Sequence, residues 1–355
     1  NVLPREVFNK RHIRTSINIP VAVTWLHFSD YSPQPVEVLS VESKAEPVPD
    51  TLSALIWNIG YAGLGSDMDF FYDGGKKMRT SYDIAVGNFQ RIQETIAAHA
   101  HVDFLLLQEV DKQSKRSYGV DQARIIDSIL HPNKSFFAYN YMVPFVPVPV
   151  SNPLGAVQSG LLLSSKHTPA YAQRHGFEGN YSWPKSLVML DRCFLVAAYP
   201  VQSGDTLFVV NTHNTAYDDG GLRTRQMAQL KKWMESKYRN GNYIVIGGDW
   251  NQLPDGISDN YFGVNPSSEN YSPLPVPENF LSEGWTWVYD SLYPTNRGLD
   301  KPFTESSYTT IIDFFIVSPN IEPLQAKTSP LEFQNSDHDP VFVQFALNPS
   351  FVTRL

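Results

Sequence analysis

The stretch Asn-Tyr-Ile-Val-Ile-Gly-Gly-Asp-Trp-Asn, residues 242–251, decides how the rest of the chain is read. Its apolar, β-branched run bounded by turn residues suits a buried strand. The run stops at Asp249, with Asn251 two residues on. Outward along the chain the same arrangement recurs. LSALIWN (52–58) ends at Asn58, and DFLLLQEV (103–110) carries Glu109. TLFVVNTHN (206–214) carries His213, and Asn335-Ser336-Asp337-His338-Asp339 precedes the run DPVFVQFAL (339–347). Apolar strands that stop at groups able to bind metal or move a proton place those groups on a rigid sheet's loops, where catalytic residues usually sit.

Asp313 breaks the pattern, because it lies inside the apolar run TTIIDFFIV (309–317). A buried carboxylate is costly unless paired. A histidine is its natural partner, and His338 is the best placed. Such a pair would fix the imidazole tautomer and favour its charged form.

The remaining elements fill in the architecture. Ala85, Phe89, Ile92 and Ile96 recur at helical spacing over 83–100. Asp121 to Leu130 reads as a short helix, and 222–238 as an amphipathic one with Met227, Leu230 and Met234 on one face. GLLLSS (160–165) is a further strand. The runs 186–201 and 206–214 flank Gln202-Ser203-Gly204-Asp205, a hairpin signal. Helices follow only some strands, so two packed mixed sheets with helices outside are expected, rather than a purely parallel doubly wound sheet. Residues 1–50 read differently. Short alternating stretches (17–28 and 36–41) punctuated by prolines predict edge strands or extended linker. The expected organisation is an N-terminal extension over 1–50, a main domain over 51–348 and a short tail over 349–355.

Composition narrows the function classes. The chain has 355 residues and a net charge of −8, which argues against adhesion to nucleic acid through a basic surface. Charged residues are 18% and aromatics 13%, too few and too many for a disordered chain. The single cysteine, Cys193, allows no intramolecular disulfide and no cysteine-based zinc site; it reads as a small core residue. No apolar run approaches the roughly 18 to 20 residues needed to span a bilayer. The first residue is Asn1 rather than Met, so a processed chain exported to the periplasm or the extracellular space is the expectation, and a monomer is expected.

The ordered set Trp57-Asn58-Ile59, Gln108-Glu109-Val110, Asn211-Thr212-His213, Gly248-Asp249-Trp250-Asn251, Ile312-Asp313-Phe314 and Ser336-Asp337-His338-Asp339-Pro340 resembles the endonuclease/exonuclease/phosphatase family. The likeness covers about residues 51–348. It implies a four-layer α/β/β/α sandwich of two mixed β-sheets and metal-dependent hydrolysis of phosphodiesters or phosphomonoesters with Mg²⁺ or Mn²⁺. By resemblance, Glu109 is the direct metal ligand, with Asn58 beside it and Asp337 acting through water. Asp249 orients or deprotonates the attacking water, and Asn251 holds a phosphate oxygen. His338, supported by Asp313, supplies positive charge, and His213 contacts phosphate or assists the leaving group. Oxygen donors of this kind suit hard Mg²⁺.

Three features lie outside the shared set. Residues 60–79 follow Asn58 and belong at the mouth of the site, either as a lid or as a connector whose Phe70, Phe71 and Tyr72 plug a groove. Arg116 is read as a bidentate phosphate contact. Residues 141–153 alternate prolines with apolar residues and predict an edge strand. A small or lipid-headgroup phosphoester is as well supported as nucleic acid, and DNA would call for a positive cleft. Two other readings compete. A non-catalytic binding module of the same fold would be expected to have lost Glu109, Asp249 or His338, and none is lost. A glycan-binding β-sandwich leaves Asp313 unexplained.

Overall fold

A computed structural model of the chain describes residues 19–218, 221–266 and 273–348. In chain order the main strands are β1 (Val36–Val41), β2 (Thr51–Asn58), β3 (Phe104–Asp111), β4 (Lys134–Val146), β5 (Gly155–Ser165), β6 (Tyr171–Gly176), β7 (Cys193–Pro200), β8 (Thr206–His213), β9 (Tyr243–Asp249), β10 (Thr286–Val288), β11 (Asp313–Val317), β12 (Ile321–Thr328) and β13 (Val341–Leu347). The helices are α1 (Ile19–Phe28), α2 (Tyr82–Ala98), α3 (Gln122–Leu130) and α4 (Gly221–Tyr238).

Two sheets form. One has seven strands in the order β1-β6-β7-β8-β9-β11-β10, the other six in the order β12-β13-β2-β3-β5-β4. Only β2 with β3 and β8 with β9 run parallel within them. Parallel neighbours need a crossover, and α2 and α4 supply it. The hairpin read between residues 201 and 206 joins β7 to β8, antiparallel.

Alternation of side chains along the strands makes the layers. Leu52, Ala54 and Ile56 of β2 meet Val209, Val245 and Phe315 between the sheets. Leu55 and Trp57 of the same strand point the other way, onto Phe89, Ile92 and Ile96 of α2 and Ile126 of α3. On the opposite face Ile244 and Ile246 of β9 pack on Met227, Leu230 and Met234 of α4. The result is the expected α/β/β/α sandwich.

The sheets are also stitched by buried polar groups. Gln108 Nε2 donates to Asn211 Oδ1 at 2.7 Å, and Asn211 Nδ2 donates to the carbonyls of Leu107 and Leu162 at 2.9 and 3.0 Å. Unpaired, these amides would each cost a desolvation penalty; paired, they fix the relative position of the two sheets beside the site.

The N-terminal reading needs one correction. Ile19–Phe28 is a helix, not an edge strand or linker. Pro20 lies in its first turn, where the missing N–H has no partner to lose. Val36–Val41 is the expected edge strand, paired with β6. Residues 1–18 of the extension and the tail 349–355 lie outside the described residues. Of the proline-rich stretch, residues 141–146 fall on β4, which begins earlier, at Lys134, and forms the edge of its sheet; residues 147–153 are not strand but the connection to β5. Strands β6 and β12 carried no clear sequence signal. Cys193 is buried, and Trp285 is buried against Tyr238 and the α4 side of the seven-stranded sheet.

Candidate active site

The carboxyl ends of β2, β3, β8 and β9 lie at one end of the sandwich, and each delivers a polar side chain there. Glu109 gets there by a local irregularity. The β3–β5 register shifts between Leu107 and Val110, and Glu109 adopts φ of 52°. A bulge at this point re-aims a side chain that strict alternation would not, and left-handed backbone in a non-glycine residue marks a constrained position. Asp249 depends on the two glycines before it. A Cβ on Gly247 would strike Phe315 and Ile56, and one on Gly248, with φ of +152°, would strike the Thr212 carbonyl. The backbones of β8 and β9 therefore approach closely, and His213 lies directly beside Asp249.

Asp249 is the hub. Its Oδ2 accepts from Asn58 Nδ2 at 2.9 Å and lies 3.3 Å from His213 Nε2 and 3.8 Å from His338 Nε2. Its Oδ1 accepts from the Asn251 backbone N–H at 2.9 Å. Asp313 stands across the β9–β11 pair, in register with Asp249. Its Oδ2 lies 2.7 Å from His338 Nδ1, the pairing expected from sequence. Thr295 Oγ1 accepts from the backbone N–H of Ile312 and Asp313, both at 3.1 Å, and fixes the approach of the strand. The segment bearing Asp337 and His338 is tied back to β2. Ser336 Oγ donates to the Asn58 carbonyl at 2.8 Å, and Trp57 Nε1 donates to the His338 carbonyl at 2.8 Å.

Electrostatics separates the two histidines. His338 is held well above its ordinary value: burial opposes its charge, but Asp313, Asp337 and Asp249 outweigh burial. His213 is pushed well below, first by burial and then by Arg192, His338 and Arg116. The cluster thus favours the charged form at 338 and the neutral form at 213. Burial, reinforced by neighbouring carboxylates, also lifts two acids. Asp249 rises to about 6 and Asp337 to about 6, with Asp313 adding to the first and Glu109 to the second.

The same residues fit a divalent cation. Glu109 Oε2 is buried with no hydrogen-bond partner, and its nearest cation, Arg116 Nη2, is 3.8 Å away. Asp249, Asp313 and His338 also offer ligand atoms within 4.8 Å of one another, though the Asp313–His338 bond occupies part of that set. Buried oxygens lacking a counter-charge are what a hard cation satisfies.

Arg116 is close but engaged elsewhere. Its guanidinium grips Asp111 with two bonds, Nε to Oδ2 at 3.1 Å and Nη2 to Oδ1 at 2.9 Å, and stacks 3.7 Å over the Tyr61 ring. The fork read as a phosphate contact is thus closed on a buried carboxylate. Arg192 was not singled out by sequence. It lines the same cavity, makes one long bond to the His213 carbonyl at 3.5 Å, and forms no ion pair among the described residues. Asn296 was also missed: its Nδ2 lies 3.0 Å from His338 Nε2. Arg192 lies inside the run 186–201 but just before β7 itself, and Asn296 pairs briefly with Thr310, so no periodicity marks either as a site residue.

The site opens into a cavity of about 470 Å³. The 60–79 segment forms part of its wall through Tyr61, Leu64, Phe70, Tyr72 and Asp73. Phe71 packs behind them, on Phe70 and Tyr72. Val148 and Leu154, from the connection between β4 and β5, line it too.

Fold and site together define a two-sheet sandwich with a carboxylate–histidine cluster at one end. The sequence model of the Endonuclease/Exonuclease/phosphatase family matches residues 57–338, and the chain belongs to that family. Solved structures share the fold. An endonuclease/exonuclease/phosphatase from Beutenbergia cavernae aligns with a TM-score of 0.57 at 17% identity, covering 84% of this chain and 72% of its own. TDP2 of D. rerio, complexed with single-strand DNA product, aligns with a TM-score of 0.52 at 12% identity, covering 84% and 99%. ANGEL2, a 2′,3′-cyclic phosphatase, aligns with a TM-score of 0.51 at 18% identity, covering 83% and 95%. Among curated proteins none matches the chain.

Proposed function

We propose that this protein hydrolyses a phosphoester with the help of a divalent cation, Mg²⁺ or Mn²⁺. The convergence of the unpartnered Glu109 Oε2 with Asp249 and the Asp313–His338 pair at one sheet end carries this reading. Glu109 would hold the cation, with Asn58 beside it and Asp337 acting through water. When bound, the cation supplies charge neutralisation at the phosphate and at the departing oxygen.

The chain's own groups divide the remaining work. Asp249 orients the attacking water and takes its proton; its lifted pKa, about 6, brings it nearer the operating range of a base. The His338 imidazolium, kept charged by Asp313, offers positive charge to the phosphate oxygens as negative charge builds on them. Neutral His213 contacts phosphate or assists the leaving group, and Asn251 holds a phosphate oxygen. Arg192 is better placed than Arg116 to pair with the phosphate, because its guanidinium is not committed to a carboxylate. A compact phosphoester suits a cavity of about 470 Å³ better than a duplex held on a basic surface, and the net charge of −8 agrees.

The test is release of p-nitrophenol from bis-p-nitrophenyl phosphate and from p-nitrophenyl phosphate, with Mg²⁺, Mn²⁺ or EDTA, for the wild type and Glu109→Gln. Metal-dependent release that Glu109→Gln loses is expected, together with loss of the metal's stabilisation in thermal unfolding. Release that persists in EDTA would overturn the reading, and the better of the two esters tells diester from monoester preference.

A further inference from the structure

Of the cavity's charged groups that form no ion pair among the described residues, two of opposite sign matter here. Arg192 is one, beside His213. Asp73 is the other. It ends a short turn at Phe71–Asp73 and is buried, 5% exposed. Its side chain accepts one hydrogen bond, from Tyr217 Oη to Oδ1 at 2.6 Å, and forms no ion pair among the described residues. The other arginines of the wall make no contact ion pair with it, although Arg297 attracts it from a distance. Arg116 is closed on Asp111, and Arg297 donates to the carbonyls of Gly65, Met68 and Gly298 at 2.6, 3.2 and 2.9 Å. Aromatic rings line the space around Asp73. Tyr72 lies 5.7 Å from Phe70 and 5.8 Å from Tyr217, ring centre to ring centre, and all three face the cavity with Tyr61 and Tyr141.

Burial pushes Asp73 up to about 7, so without a close counter-ion its charged form is costly, and a ligand cation beside it favours that form. Aromatic faces around such a group favour an alkylammonium, which combines positive charge with an apolar surface.

We infer that the cavity recognises a zwitterionic phosphoester, whose phosphate faces Arg192 and the catalytic cluster and whose alkylammonium group faces Asp73 within the aromatic wall. This rests on the hydrolase reading for the phosphate end only. Asp73 and Tyr217 come from the 60–79 segment and from the loop between β8 and α4, outside the motifs of the shared set. The ammonium could belong to a lipid headgroup or to a free ester, and the chemistry recognised is the same.

Binding without turnover tests the inference apart from catalysis. The full chain carrying Asp249→Asn is titrated calorimetrically with phosphocholine and with 3,3-dimethylbutyl phosphate, its uncharged carbon isostere. Phosphocholine is expected to bind about tenfold more tightly or better, and adding Asp73→Asn is expected to bring the two within about twofold. Equal affinities, or no binding of either, would overturn the inference while leaving hydrolysis untouched. Should Asp73→Asn fail to fold, Tyr217→Phe serves instead. It keeps the carboxylate and is expected to keep the preference; loss of preference in a folded Tyr217→Phe chain would count against Asp73 as the ammonium's partner. The sources separate on the wild type. Hydrolysis of soluble p-nitrophenyl phosphorylcholine, compared with phosphate or phosphocholine release from phosphatidylcholine vesicles, tells a free ester from a headgroup.

Discussion

Asp313 Oδ2 and His338 Nδ1 meet at 2.7 Å across 25 residues of sequence, and both side chains are almost fully buried. The carboxylate leaves Nε2 as the imidazole's other face, 3.0 Å from Asn296 Nδ2 and 3.8 Å from both Asp249 and Asp337.

Asp313→Asn should keep the fold and lower kcat by about 10²-fold or more, the usual worth of a positioned proton-bearing group. The pH profile gives the more specific readout. Asp313 helps hold His338 above its ordinary value, so its removal lowers the histidine's pKa. The charged form is then lost at lower pH, and the alkaline limb of activity moves down. An unmoved limb would show that His338 does not act as the imidazolium.

Arg116 and Arg192 should respond oppositely. Arg116→Ala leaves Asp111, whose side chain is 0% exposed, without its partner. Breaking a buried pair in this way costs about 3–5 kcal/mol, read as a fall in urea midpoint. Arg192→Ala removes a half-buried charge that forms no ion pair among the described residues, so stability should change by less than about 1 kcal/mol. Its kcat/KM should drop by about 10²-fold, as when one phosphate-facing donor is deleted. If Arg116→Ala is stable and inactive while Arg192→Ala is fully active, the assignments are reversed.

His175 should make stability depend on acid. Its ring stacks on Phe194 at 5.0 Å, and burial, with Lys237 adding to it, pushes its pKa down to about 4. The unfolded chain protonates near about 6.5, so the unfolded state takes the proton first. The contribution is therefore complete above about pH 6.5, declines toward pH 4 and is flat below. After allowance for the ring's partial exposure it amounts to about 1–2 kcal/mol. His175→Phe should remove that part of the slope when urea unfolding at pH 7 and pH 4.5 is compared. A slope identical to wild type would refute it.

Gly248→Ala should destabilise by about 3 kcal/mol or more, because the new methyl meets the Thr212 carbonyl with φ of +152°. Activity should fall with it, since Asp249 is the next residue. A folded, fully active Gly248→Ala protein would show that β8 and β9 can separate without harm.

Much of this was legible in the chain. Apolar runs ending in Asn58, Glu109, His213 and Asp249 told both where the strands lie and which ends matter, because burial dictates the run and its termination needs a reason. Asp313 told of its partner because a lone carboxylate inside IIDFFIV is untenable. Other features depend on packing between distant segments. Arg116 and Arg192 look alike as letters, and only the position of Asp111 commits one and frees the other. Gln108 and Asn211, which flank the catalytic positions in sequence, turn out to be ties between the sheets. Helix α1 escaped because its proline count suggested extended chain, whereas a proline in the first turn is compatible with a helix.

Strand β13 lies between β12 and β2, and the residues just before it complete the cluster begun at Asn58. The Trp57 indole reaches the His338 carbonyl across 281 residues. During synthesis, then, the first of the proposed catalytic positions leaves the ribosome long before its last partners exist. No fragment ending before His338 can hold the charged imidazole or close the Asp313 pair. On the proposed function, a growing chain that stops short of residue 338 is chemically silent.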